Sequence, residues 1–505
     1  MRAFRPLVAL LLLGGLLLPF IPPASAAVTC VVNRVSYDAT IVGSGIITGT
    51  PAPDVIVGSG NADRIDGLAG DDVICGRSNA DRIIGGEGND ILSGEGGQDH
   101  ISGNDGNDYI DGGIAEDRLV GGNSDDFISA GTGDDAAFGD SGLDIIFGGP
   151  GADYVSGSGS ADQLHGNAGD DQIAAGSGDD LVVGGDGNDE ISGLNGDDLI
   201  YGDFVDHSEE GPAPSGEDVI TGGIGDDDIE GGPERDRIYG QSGNDVILGG
   251  GGEDYLSGGA DNDAIHGQQD QDTIRGGIGS DTITGGDGDD SVNGDSGIDT
   301  IEGQAGKDVI SGGPDDDLVY GGWALGDPAE QEGLGDINDV LGGGDGNDLV
   351  EGNVGNDVVQ GGPGNDTVRG SIGDDRLYGE GGLDTVDGEE GDDIASGGDD
   401  SDEVTGHEGD DRLYGDAGDD GVYGREGDDQ MSGGLGGDSM QGGDGNDLIA
   451  GDEGNDTLLG NADNDELFGN DGDDALDGNT EIDLCSGGNG ADTAEPGCET
   501  IIGVP

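Results

Sequence analysis

One aliphatic residue recurs every nine positions along this chain, set between polar residues and glycine. From Gly85 the sequence reads Gly-Gly-Glu-Gly-Asn-Asp-Ile-Leu-Ser, and from Gly94 it reads Gly-Glu-Gly-Gly-Gln-Asp-His-Ile-Ser. From Gly103 it continues Gly-Asn-Asp-Gly-Asn-Asp-Tyr-Ile-Asp. The eighth place of this unit is Leu92, Ile101 and Ile110; the sixth is Asp90, Asp99 and Asp108. The sixth-place aspartates keep phase from Asp54 to Asp198, from Asp218 to Asp317 and from Asp339 to Asp492. These arrays hold 17, 12 and 18 aspartates, 47 in all, so the period is a design and not an accident of composition. Only Ala137, Ala395, Cys485 and Ala494 depart from Val, Ile, Leu or Met at the eighth place. Glycine fills both the first and the fourth place in 30 of the 47 units, which marks the best-formed repeats.

A lone apolar residue between polar neighbours predicts a strand of about three residues, alternating out, in, out. The other six residues then form a loop, where glycine permits positive φ and close backbone approach. Two units make one coil of a solenoid, with two short strands facing each other. Stacked coils pair their strands in parallel, about 4.8 Å apart, and the inward aliphatics form two ladders. The expected fold is all-β, a parallel β-roll of right-handed β-helix type. One small apolar residue per strand makes a thin core, weak per coil.

Composition sharpens this picture. The 505 residues carry 113 acids against 15 Lys and Arg, a net charge of −98, with 117 glycines and 4% aromatics. So few aromatics and so much like charge cannot hold several conventional domains by burial alone. The sign of the charge excludes nucleic-acid binding through phosphate neutralisation and argues against an anionic membrane surface. Stacking also lines the sixth-place aspartates into a column on each edge, where bare carboxylates repel. A hard divalent cation removes that repulsion and accepts loop carbonyls as further ligands; a set of oxygen ligands favours Ca²⁺. Neutralising the whole charge takes about 49 divalent ions, close to one per repeat.

The run Gly-Gly-x-Gly-x-Asp-x-aliphatic-x resembles the nonapeptide of repeats-in-toxin (RTX) proteins, the haemolysin-type calcium-binding repeat. The resemblance spans about residues 45–494. It implies a β-roll with Ca²⁺ held between the loops of stacked coils, by the sixth-place Asp and by loop carbonyls. Carried onto the repeats with both glycines, the implied ligands of the first array are Asp72, Asp90, Asp99, Asp108, Asp144, Asp153, Asp171, Asp189 and Asp198. Those of the second are Asp227, Asp245, Asp254, Asp281, Asp290, Asp299 and Asp308. Those of the third are Asp348, Asp357, Asp366, Asp375, Asp384, Asp393, Asp411, Asp420, Asp429, Asp438, Asp447, Asp456, Asp474 and Asp492. Ala115, Ser124 and Ser160 take the fourth place before Asp117, Asp126 and Asp162, where a side chain strains a left-handed residue, so those loops are expected to bind weakly. Asn61 and Asn79 are milder departures. The segments Ala39–Gly43, Val73–Gly76 and Cys485–Glu499 also resemble the ends of small secreted members of this group.

The first residues read as an address. Arg2 and Arg5 precede the apolar run Leu7–Leu18, prolines break it, and Ala24-Ser25-Ala26 has the form of a cleavage site. The expected organisation is a signal peptide over 1–26, an N-terminal cap with a degenerate repeat over 27–53, and arrays over 54–202, 218–321 and 339–494. Interruptions fall at 203–217 and 322–338, and a C-terminal cap at 495–505. Each interruption is either one repeat with an inserted loop or a degenerate half-coil slightly lengthened. They carry Pro212, Pro214 and the single Trp, Trp323. Export brings the chain to an oxidising, calcium-replete medium, where four cysteines read as two disulfides. A rod of about 24 coils is on the order of 110 Å long, which bars pairing across its ends. The expected pairs are Cys30–Cys75, tying Cys30 to Ile47 over the first coils, and Cys485–Cys498; pairing between molecules is the alternative.

Nothing in the chain reads as catalytic. His100, His165, His207, His266 and His407 form no His-Glu-x-x-His motif, and no nucleophile elbow precedes a helix. His100, His165 and His266 are expected to be solvated on the strands. A regular threonine column for ice binding is lacking, since the third place is Thr only at Thr132 and Thr480. The sequence thus points to a secreted calcium-binding repeat protein, extracellular and without enzymatic activity. Its partners are calcium ions and an unspecified cell-surface or matrix component, with neither nucleic acid nor a membrane span. The alternative role is an accessory module of a separate secreted enzyme.

Overall fold

The computed structural model describes residues 28–203, 215–322, 338–494 and 497–502. The nine-residue period becomes strands of six residues, such as Ile91–Gly96, His100–Asp105 and Tyr109–Ile114. The strand is twice the length expected from the apolar position alone. The physical reason is the first-place glycine: it stands two residues beyond the aliphatic, faces inward too, and so extends the alternation into the next unit. The turn is correspondingly short, made by the fourth to sixth places.

Each strand pairs in parallel with the strand 18 residues before and after it, as Tyr109 with Ile91 and with Phe127. Alternate strands therefore build two separate ladders of 25 strands each, open at their ends, which sets the coil number at about 24. The result is a parallel β-solenoid, with no helix among the described residues. Eighth-place side chains from Ile47 to Cys485 form one continuous buried core. Each contributes about 1.5–3 kcal/mol by burial, modest per coil and large only in sum.

The interruptions do not break the stack. The Asp189 N–H reaches the Asp218 carboxylate 29 residues on, and the Asp308 N–H reaches Asp339 31 residues on, where the regular step is 18. The described coils on either side of each interruption are therefore stacked directly on one another. Pro212, Pro214, Trp323 and the 1–26 segment lie outside the described residues.

The ends are stapled differently. Cys30–Cys75 forms as expected, with Cα atoms 5.6 Å apart. It sits in a hairpin, Thr29–Val32 with Val35–Asp38, that lies on the outer face of one sheet against Val57, Val73 and Ile91. Its two strands pair with each other and with no strand of the first coil. Cys485–Cys498 instead lies inside, with Cys485 replacing an aliphatic at the end of the core ladder. Changing both to serine is expected to remove about 3 kcal/mol of loop constraint. Hydrogen exchange should then show fraying of Asp483–Ser486 while the central coils keep their protection.

Two histidines are half-buried, not fully solvated. His165 stacks on Phe147 at 4.7 Å, in a ladder with Phe127 and Tyr109, and burial lowers its pKa. The His266 ring nitrogen Nδ1 is 2.6 Å from the Thr284 hydroxyl, one coil on.

Candidate metal centre

The turn places the sixth-place aspartates inside the solenoid, not on a solvated rim. Asp90, Asp99 and Asp144 are each 1% exposed. One carboxylate oxygen is held: Asp72 N–H donates to Asp90 Oδ1 at 2.8 Å, and Asp90 N–H donates to Asp108 Oδ1 at 2.8 Å. This step repeats coil after coil, so the aspartates form one continuous column on each edge. The other oxygen, Oδ2, is buried without a hydrogen-bond partner, as at Asp90, Asp99, Asp189 and Asp447.

First-place glycine leaves this oxygen its room, although Ala130 and Ala175 stand at that place before Asp135 and Asp180, whose Oδ2 atoms are buried in the same way. A Cβ on Gly94 would stand 2.2 Å from Asp99 Oδ2 and 2.5 Å from the Gly112 carbonyl oxygen. A carboxylate oxygen and a backbone carbonyl oxygen of the next coil thus lie close to one point. The fourth place needs glycine for another reason: Gly88 has φ +127°, and its Cβ would strike the Gly70 carbonyl oxygen at 2.4 Å. The second place turns left-handed as well, which the spacing did not reveal; Glu95 and Asn104 stand there at φ 65° and 79°. Gly94→Ala is expected to displace the Asp99 carboxylate and lower the stability of its coil by about 2–3 kcal/mol, read as a shift in the chemical denaturation midpoint.

The electrostatics follow from this packing. Burial pushes the Asp126 carboxyl up to about 8; the Asp108 N–H pulls it down, and the Asp108 and Asp144 carboxylates of the coils on either side push it up again. The same order of causes raises Asp90 to about 7 and Asp236 to about 9. At the open end the balance reverses. Burial still pushes Asp63 up, but N–H groups of Ser59 and Gly45 and the Ser59 hydroxyl bring it below the usual carboxylate range.

A buried, partnerless carboxylate oxygen on coil after coil has two physical remedies, a proton or a cation. The donor set, carboxylate with backbone carbonyl, is all hard oxygen and fits Ca²⁺. No three His, Cys, Asp or Glu side chains converge on one point among the described residues. Carbonyl oxygens would therefore have to complete the coordination.

The structure draws no line between well-formed and degraded repeats at this oxygen. Asp117, Asp126 and Asp162 bury an unpartnered Oδ2 like the others. The strain expected at their loops is present: Ala115, Ser124 and Ser160 adopt φ of 84°, 84° and 93°. Ser160→Gly should relieve about 1 kcal/mol of it, seen as a small rise in thermal stability.

A second ladder was missed in the sequence. Asn107 N–H donates to Asn89 Oδ1 at 2.9 Å, and Asn89 N–H to Asp71 Oδ1 at 3.0 Å. These fifth-place side chains run outside the inner column and bond in the opposite axial direction. The signal was the recurring Asn-Asp or Asp-Asp pair, whose first member was overlooked because the strict period drew attention to the second.

Fold and edges together define a parallel β-solenoid with columns of buried carboxylates suited to cations. The family model for the RTX calcium-binding nonapeptide repeat, four copies to a match, fits in overlapping windows from 48–83 to 174–205, from 215–238 to 293–323 and from 335–368 to 459–494. The chain belongs to this family and binds Ca²⁺ at many sites. No curated protein matches it. Among solved structures, a hyperactive, Ca²⁺-dependent, β-helical antifreeze protein from an Antarctic bacterium is similar at 17% identity, over 76% of this chain and 85% of that one, with a TM-score of 0.15. A superposition that poor carries no argument about this chain.

Proposed function

We propose that this chain is an exported structural protein that calcium folds into a stiff rod, with the 30 aspartates named above among the ligands. The observation that carries the reading is the buried, unpartnered Oδ2 recurring on both edges of the coils. The charged, apolar and small-residue succession of residues 1–26 supports export. Calcium is scarce inside cells and plentiful outside, so folding would follow secretion. The role fitting a repeat-filled chain is that of a spacer or calcium reservoir at a cell surface or in a matrix. No helix among the described residues is long and apolar enough to cross a membrane.

Calorimetric titration with CaCl₂ tests the ligand assignment. About 30 or more ions per chain, bound with Kd around 10⁻⁴ to 10⁻³ M, is the expected result. A stoichiometry of a few ions would overturn it. Recovery of the chain from culture medium in stable complex with an enzyme would favour the accessory role instead.

A further inference from the structure

The chain has 15 Lys and Arg against 113 acids, so a concentration of cations on its surface needs a reason. One exists on the outer face of one ladder. Arg64, Arg82, His100 and Arg118 stand directly in register on four successive coils, all exposed. Among the described residues, none of the three arginines pairs with a carboxylate; Arg118 lies over the Phe138 ring at 4.3 Å. The adjoining edge carries little charge, Glu116 beside Arg118 being the exception. The fifth places beside the first three members are Ala62, Ala80 and Gln98, where many other coils carry Asp or Asn.

Toward the other end of the chain, an edge shows the inverse pattern. Glu390, Glu408, Glu426 and Asp444 are in register on four successive coils, all exposed. Exposed Asp392, Asp410 and Asp428 flank them in the fifth-place ladder, with Arg412 and Arg425 the nearby cations. The two columns match in length, four coils, and in axial step, because the same 18-residue ladder fixes both.

We infer that the Arg64–Arg118 column docks the Glu390–Asp444 edge of a second copy of this chain, side by side and staggered. Commensurate spacing lets the three arginines each meet a carboxylate at its own coil, with His100 between them, without strain in either rod. The two surfaces differ and lie far apart in the chain, so the contact is heterologous and propagates into open filaments or sheets. The inference rests on the calcium-loaded reading, because a chain at −98 repels its own copies until cations neutralise it.

Sedimentation velocity across protein concentration tests this, on samples shown by circular dichroism to be folded in Ca²⁺. That control separates a failure of docking from a failure of calcium folding. Wild type should associate in low salt and dissociate at 0.5 M NaCl, where the screening length is only about 4 Å. The variant Arg64→Glu/Arg82→Glu/Arg118→Glu should weaken association about tenfold or more, and so should Glu390→Lys/Glu408→Lys/Glu426→Lys. An equimolar mixture of the two variants should associate again, since each then presents what the other lacks. Folded wild type that remains monomeric at all concentrations would overturn the proposal, as would association unaffected by the arginine changes. Folded monomers that instead bind poly-glutamate through the arginines would likewise overturn it, assigning the column to a foreign polyanion.

Discussion

Stripping calcium at neutral pH is expected to unfold the solenoid from end to end, with loss of the β signal in far-ultraviolet circular dichroism and expansion in small-angle scattering. The core offers one small aliphatic per strand, such as Ile101 or Val182. Against it stand two columns of buried aspartates at one-coil spacing. Neighbouring unit charges about 4.8 Å apart repel by roughly 3.5 kcal/mol at an effective dielectric of about 20. If about 30 sites meet Ca²⁺ at ten times their Kd, each adds about 1.4 kcal/mol, on the order of 40 kcal/mol together. That exceeds the net stability of ordinary domains several-fold. Readdition of Ca²⁺ should restore the signal cooperatively. An undiminished β signal in metal-free protein at pH 7.5 would refute the coupling of folding to calcium.

Acid should substitute for the metal. The folded state holds protons on these aspartates more tightly than the unfolded state, whose carboxyls titrate near 3.8. Stability from this source is therefore full below about pH 4 and is lost as pH rises through the folded values. These lie at about 6 for Asp99, about 7 for Asp153, about 8 for Asp263 and about 9 for Asp236. Metal-free protein, prepared over a chelating resin, should be unfolded at pH 8 and gain β structure as it is acidified toward pH 5. Calcium acts in the opposite sense, since it binds the carboxylate that the proton would occupy. Adding Ca²⁺ near pH 6.5 should release protons, measurable in a pH-stat. Metal-free chain that stays disordered at pH 5 would show that carboxylate charge is not what keeps it unfolded.

The period alone was enough to read the coil, the parallel pairing at 18 residues, the inward aliphatics and the aspartate columns. A strict repeat admits few stackings that bury every eighth place at once, so one-dimensional spacing translates directly into three-dimensional register. Both disulfide pairs were readable because a rod keeps its ends apart. The length of the strands was not. A glycine has no side chain with which to announce that it faces inward, so Gly94 read as loop although it continues the strand over Asp99.

Tertiary structure alone decided the rest. It buried the aspartates that the sequence had left on the rim, split each carboxylate into a bonded Oδ1 and an orphaned Oδ2, and set the hairpin of Cys30 on a sheet face. These outcomes depend on which groups a neighbouring coil presents at a given point. The sequence by itself determined that coils stack and where every coil begins. How the groups of two stacked coils meet, and which of their oxygens is left for a cation, is a property of atoms 18 residues apart and exists only once the chain has wound.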